Sequence, residues 1–195
     1  MLNERVAQTA AQSSTAPLSA RHLQTLDEFF AAPNSHDAEG KLRVSRDAKT
    51  GQLIECLIKR RLGDLHVLCP KREVDWRISV NTEEKADIAM VTDGMRPLYS
   101  RKKDRMQYGH QHFHIDLTQV MDQGNTVVRS IREIHSLTDI HRQTHELELE
   151  FAFPEEMRRV LELRGKEGPE AWGYDQLAAV FVNNCRLLSR NVIKM

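Results

Sequence analysis

Residues 145–151 read His-Glu-Leu-Glu-Leu-Glu-Phe, and this run constrains the fold more than any other segment. Side chains alternate along a strand, so Glu146, Glu148 and Glu150 share one face while Leu147, Leu149 and Phe151 share the other. Carboxylates stacked at every second position repel one another. Such a face is stable only with a cation or a basic surface opposite it.

Three further segments alternate in the same way. In 75–81, Trp76, Ile78 and Val80 are apolar while Asp75, Arg77, Ser79 and Asn81 are polar. In 101–105, Arg101, Lys103 and Arg105 share a parity. In 112–118, His112, His114, Asp116 and Thr118 oppose Phe113, Ile115 and Leu117. Taken singly, each is consistent with a half-buried antiparallel strand whose charges face water. That reading explains the set less well, because solvated faces normally mix signs, whereas here one polar face is wholly acidic and another wholly basic. The pattern predicts a closed antiparallel sheet with a hydrophilic lumen and an apolar outside packed on helices.

At 195 residues the chain can bury a full core as a single domain. Lys plus Arg and Asp plus Glu are 28 each, so a polyanion must be bound by local rather than global charge. Cys56, Cys69 and Cys185 are widely spaced, with no CxxC. Neither a zinc ribbon, a disulfide framework nor an activated cysteine nucleophile is indicated, and a reducing compartment fits. No apolar run is long enough to span a membrane as a helix.

Residues 7–20 are small and polar and read as loosely ordered, and residues 1–18 are expected to form a flexible lead into a domain over 19–195. Ser19 reads as an N-cap for a short helix carrying Leu23, Leu26 and Phe30. From Lys41 to Phe151 about eight strands are expected, separated by turns at 48–51, 63–64, 69–71, 93–94 and 123–125. Two amphipathic helices follow. One opens at Pro154 and ends at Gly165, and the last carries Leu177, Val180, Phe181, Cys185 and Leu188. No phosphate-binding glycine loop is present.

The ordered motifs Asp75-Trp76-Arg77-Ile78-Ser79, Arg101-Lys102-Lys103-Asp104-Arg105, Phe113 to Val120 and Glu146 to Glu150 together resemble the fungal-type RNA 5′-triphosphatase of mRNA capping, the β subunit. That family belongs to the triphosphate tunnel metalloenzymes. The resemblance implies a mainly β fold, an eight-stranded antiparallel tunnel with helices toward both ends. It also implies removal of the γ-phosphate from the 5′ end of nascent transcripts with Mg²⁺ or Mn²⁺. By motif, Glu146, Glu148 and Glu150 match the metal-binding glutamate strand, and Arg101, Lys103 and Arg105 match the basic strand on the triphosphate. Lys59, Arg61 and Arg77 match further basic lumen positions, and Asp116 and Thr118 an interior acidic and hydroxyl pair. Arg77, Lys103, Arg105 and Glu148 are the expected catalytic set. The family context implies a nuclear location, the guanylyltransferase α subunit as partner, a possible homodimer and no membrane. The family's first strand adds two metal-binding glutamates, yet no Glu-x-Glu precedes Glu146. A noncatalytic RNA 5′-end or polyphosphate-binding barrel is therefore the alternative reading.

His110, His112 and His114 spell a His-x-His-x-His run, consistent either with a transition-metal site or with hydrogen-bonded structural histidines. His135, His141 and His145 read as loop and strand-end residues.

Overall fold

The computed structural model describes residues 2–11, 17–31, 40–123, 142–166 and 173–192. Helix α1 (Leu2–Ala11) is followed by β1 (Ser19–Ala31), β2 (Lys41–Asp47), β3 (Leu53–Val67), β4 (Trp76–Lys85), a 3-10 turn (Ile88–Met90), β5 (Tyr99–His110), β6 (Phe113–Gln123) and β7 (Arg142–Phe151). Helices α2 (Pro154–Leu163) and α3 (Gly173–Asn191) complete the order. The strands form one antiparallel sheet ordered β4-β3-β2-β1-β5-β6-β7, with β1 central and a meander on either side. The described residues thus supply seven strands, six of them (β2–β7) in the 41–151 span where about eight are expected and the seventh, β1, ahead of it; β4 and β7 are the edges of the sheet these residues form.

The sheet curls into a trough. Lys59 of β3 acts electrostatically on Glu150 of β7 although β2, β1, β5 and β6 lie between them. Right-handed twist accumulating over this many long strands produces such closure.

Two local expectations are corrected. The segment opening at Ser19 is a strand, not a helix: residues 23, 26 and 30 match a helical stripe, but pairing with both β2 and β5 fixes the backbone as extended. Gly63-Asp64 is no turn either. It lies within β3, where the register shifts between Arg61 and Gly63, so 53–67 is one bulged strand instead of two. The segment read as loose from its composition contains α1, anchored by the Tyr108 hydroxyl donating to Asn3 Oδ1 at 2.7 Å.

The outside is apolar, as the alternation requires. Phe30, Leu42 and Val44 form a buried cluster covered by Ile88, Val91 and Met95 from the β4–β5 connection. At the other end Phe181 of α3 packs on Phe151, ring centroids 5.0 Å apart, and on Phe113. Proline opens α2 at its first turn, with Glu155 and Glu156 beside it, and Gly165 takes a positive φ of 79° just beyond its end. Val160 of that helix is buried, whereas Leu161 is exposed.

Candidate active site

Cross-strand register assembles the site. On the concave face, Arg105, Thr118 and Glu146 stand in one row across β5, β6 and β7, and Gln107, Asp116 and Glu148 in the next. His114 and Glu150 follow. Leu147 and Leu149 point to the outside with Leu117 and Ile115, so the parity read from the sequence is the parity of the fold.

The basic row does not stand free. Arg105 Nη1 lies 2.9 Å from Asp116 Oδ2, and its Nε donates to Thr118 Oγ1. Lys103 turns the other way, its Nζ 2.8 Å from Asp27 Oδ2, while Arg101 Nε lies 2.8 Å from Asp122 Oδ1 with its guanidinium over the Phe29 and Tyr99 rings. Asp27, Asp116 and Thr118 are buried, so these pairs are fixed furniture of the trough floor. Burial pushes the Asp27 carboxyl up, but the Lys103 ammonium and the hydrogen bonds from Lys103 and Ser45 outweigh it and hold the group below its ordinary value.

The opposite wall is basic too. Lys59 Nζ sits 2.9 Å from Glu83, and Arg43 Nη2 sits 2.7 Å from Glu55. Burial works against the Arg43 charge, yet Glu55, Asp27 and Glu83 more than restore it. Toward one mouth, Asp64 gathers Arg61 at 3.1 Å, Arg77 at 3.9 Å and the Ser79 hydroxyl at 2.6 Å. Each of these cations has one carboxylate within ion-pair distance, so its remaining donors can meet a phosphate.

The acidic strand is under electrostatic load. The Glu150 carboxyl is pushed up first by desolvation in the trough and then by Glu148 and Asp116, against the pull of Lys59 and Arg105, although the residue as a whole is exposed. Asp116 Oδ1 is buried without a hydrogen-bond partner. Crowded carboxylates and an orphaned carboxylate oxygen suit a hard divalent cation, which takes oxygen ligands. Among the described residues, however, no three His, Cys, Asp or Glu side chains already converge on one point. Residues at i, i+2 and i+4 are spread along the strand, so β7 can furnish one wall of a metal site.

The structure therefore brings Glu146, Glu148, Glu150, Asp116, Thr118 and Arg105 together, faces them with Lys59, and places Lys103 and Arg101 on the floor beside them. Arg61 and Arg77 sit apart, near the mouth. Sequence reasoning missed Asp27, Arg43 and Gln107. Asp27 was hidden by the helical reading of β1, whereas Arg43, at the same parity as Lys41 and Ser45 in β2, carried a signal that alternation alone could have found. The histidine run forms no metal group among the described residues. His112 Nδ1 lies 2.9 Å from Glu156 of α2, and His114 stands beside Glu150 in the ladder. His135, His141 and the turn residues Gly124 and Asn125 lie outside the described residues.

A curled antiparallel sheet with facing basic and acidic rows defines a trough of the tunnel type. A family model described as mRNA capping enzyme, beta chain, matches residues 1–194, and the chain belongs to that family. The mRNA-capping enzyme subunit beta of Schizosaccharomyces pombe is 31% identical over 175 residues, 89% of this chain and 52% of that protein. The Cryptococcus neoformans subunit is 37% identical over 122 residues, 61% of this chain and 29% of its own. The chain thus spans about half, or less, of the length of these relatives. The solved S. pombe Pct1 RNA triphosphatase in complex with the Spt5 CTD superimposes with a TM-score of 0.75 at 29% identity, covering 98% of this chain and 67% of that one.

Proposed function

We propose that this chain carries the tunnel of a metal-dependent RNA 5′-triphosphatase that removes the γ-phosphate of nascent pre-mRNA, the first step of capping. The observation that carries the reading is the concave face itself, where Arg105 stands in register with Thr118 and Glu146, Asp116 with Glu148, and Lys59 of the far wall still acts on the Glu150 carboxyl. Glu146, Glu148, Glu150 and Asp116 would hold Mg²⁺ or Mn²⁺, which when bound neutralises phosphate charge and lowers the pKa of a coordinated water. Arg105, positioned by Asp116 and Thr118, neutralises charge on the transferred phosphoryl group, and Lys103, positioned by Asp27, does so beside it. Lys59 and Arg43 hold the triphosphate from the far wall, with Arg61 and Arg77 toward the mouth. Phosphoryl transfer needs mainly positioning and electrostatic stabilisation, and no covalent intermediate is required.

Among the described residues the edges β4 and β7 have no further strand beside them, and a strand with alternating glutamates there would add ligands to the metal wall. A nuclear location, a guanylyltransferase partner and a homodimer go with this reading. The absence of a ready metal-binding group among the described residues favours a second reading, a noncatalytic 5′-end binder. Phosphate release from γ-labelled triphosphate RNA decides between them. Metal-dependent release lost in Glu148→Ala supports the enzyme, whereas binding without release supports the alternative.

A further inference from the structure

A cleft of about 410 Å³ outside the trough is lined by Leu65, Val67, Cys69, Arg72, Trp76 and Ile78 from the β3–β4 tip and by Val182, Arg186, Ser189 and Arg190 from α3. Its three arginines are exposed and, among the described residues, make no ion pair. They converge from two separate elements around half-buried Trp76. The Trp76 indole N–H is satisfied by Cys69 Sγ at 3.1 Å, which holds the ring in place. A second, smaller cleft is lined by His66, Val67, Leu68, Asp75, Trp76 and Arg77. The two share Val67 and Trp76, so the cleft beside Arg77 and His66 at the trough's rim adjoins the arginine cleft. Asp75 is the carboxylate lining the smaller cleft, and its Oδ1 accepts from the Cys69 N–H at 2.6 Å.

We infer that this cleft receives the RNA chain downstream of the triphosphate, with Arg72, Arg186 and Arg190 on phosphates and Trp76 against a base. The inference rests on the triphosphatase reading. Arginines beside an aromatic ring are the usual means of holding single-stranded RNA without sequence preference. An acidic peptide would use the arginines too, but a cleft adjoining the trough's rim favours the strand whose 5′ end lies in the trough. From Lys59 to His66 along β3 is about 23 Å at roughly 3.3 Å per residue. A stacked strand rising about 3.4 Å per nucleotide covers that in about seven nucleotides, so the cleft engages only RNAs at least that long.

The test measures binding of a 5′-triphosphate 12-mer RNA, its 5′-hydroxyl counterpart and ATP to the full chain, as parent, R186Q/R190Q and R72Q, with unfolding midpoints recorded. The expected result is about a tenfold loss for the triphosphate 12-mer in R186Q/R190Q, a smaller loss in R72Q and unchanged ATP binding. The salt slope of 12-mer binding should fall by about 0.7 per phosphate contact removed. Equal losses for ATP and RNA, no loss at all, or, in competition with an acidic peptide, loss of peptide binding but not of RNA binding in R186Q/R190Q would overturn the inference. Loss of 5′-hydroxyl RNA binding in R186Q/R190Q together with no ATP binding by the parent would sustain the cleft while removing the triphosphatase reading.

Discussion

Lys103 Nζ lies 2.8 Å from Asp27 Oδ2, and Asp27 is only 3% exposed, so the lysine central to the basic strand is built into the floor by an aspartate on the central strand. Removing one partner of such a pair leaves a charge without compensation, at a cost of about 3–5 kcal/mol. Asp27→Ala should therefore lower the denaturant midpoint sharply, and Asp27→Ala/Lys103→Met should recover much of the loss. If the double variant is no more stable than the single, the pair is not what holds this part of the floor.

The same pair sets an acid limit. Asp27 lies below its ordinary value of 3.8 in the folded protein, so its contribution is complete above that pH and is lost as pH falls through the lower folded value. Equilibrium unfolding should show stability decreasing below about pH 4. Asp27→Asn should flatten that decrease, whatever it costs at neutral pH.

Arg105 and Glu148 should separate on stability while agreeing on activity. Arg105→Ala strands Asp116, which is 1% exposed and already has one oxygen unpartnered, so it should lose both turnover and several kcal/mol of stability. Glu148→Ala removes a carboxylate from a crowded row and should lose turnover with the fold intact. Arg105→Lys should restore folding but little activity, because a point charge cannot reach both Asp116 and Thr118 as the guanidinium does. Near-parental phosphate release by either alanine variant at saturating Mn²⁺ would show that the roles are misassigned.

Alternation made β4 to β7 legible, because each segment sends its apolar residues to the outer face and a one-residue slip would put Leu147 or Ile115 into the trough. It failed at β1, which carries Leu23, Leu26, Phe29 and Phe30 on both faces because neither side of the central strand meets bulk water uniformly. The lumen was also expected to be hydrophilic throughout, yet Leu57 and Val120 are buried at concave-face positions. The pairing pattern among cations and carboxylates was not legible at all. Whether Lys103 turns to Asp27 or toward the glutamates depends on cross-strand register, which a single strand's sequence does not encode.

Glu150 yields the sharpest test of a metal at the acidic strand. Its carboxyl is raised above the ordinary 4.5 by desolvation and by Glu148 and Asp116, so the folded state binds that proton more tightly than the unfolded state. The ionised group therefore destabilises the metal-free protein at neutral pH, and stability is gained as pH falls through the raised value toward 4.5. Glu150→Gln should accordingly raise the melting temperature of chelator-treated protein near pH 7 and remove that part of the pH dependence. A divalent ion neutralises the same repulsion, so Mn²⁺ should stabilise the parent by about 2.7 kcal/mol at a hundredfold excess over its dissociation constant and the variant by much less. Equal stabilisation of both by Mn²⁺, measured in the same thermal unfolding series, would place the ion away from Glu150.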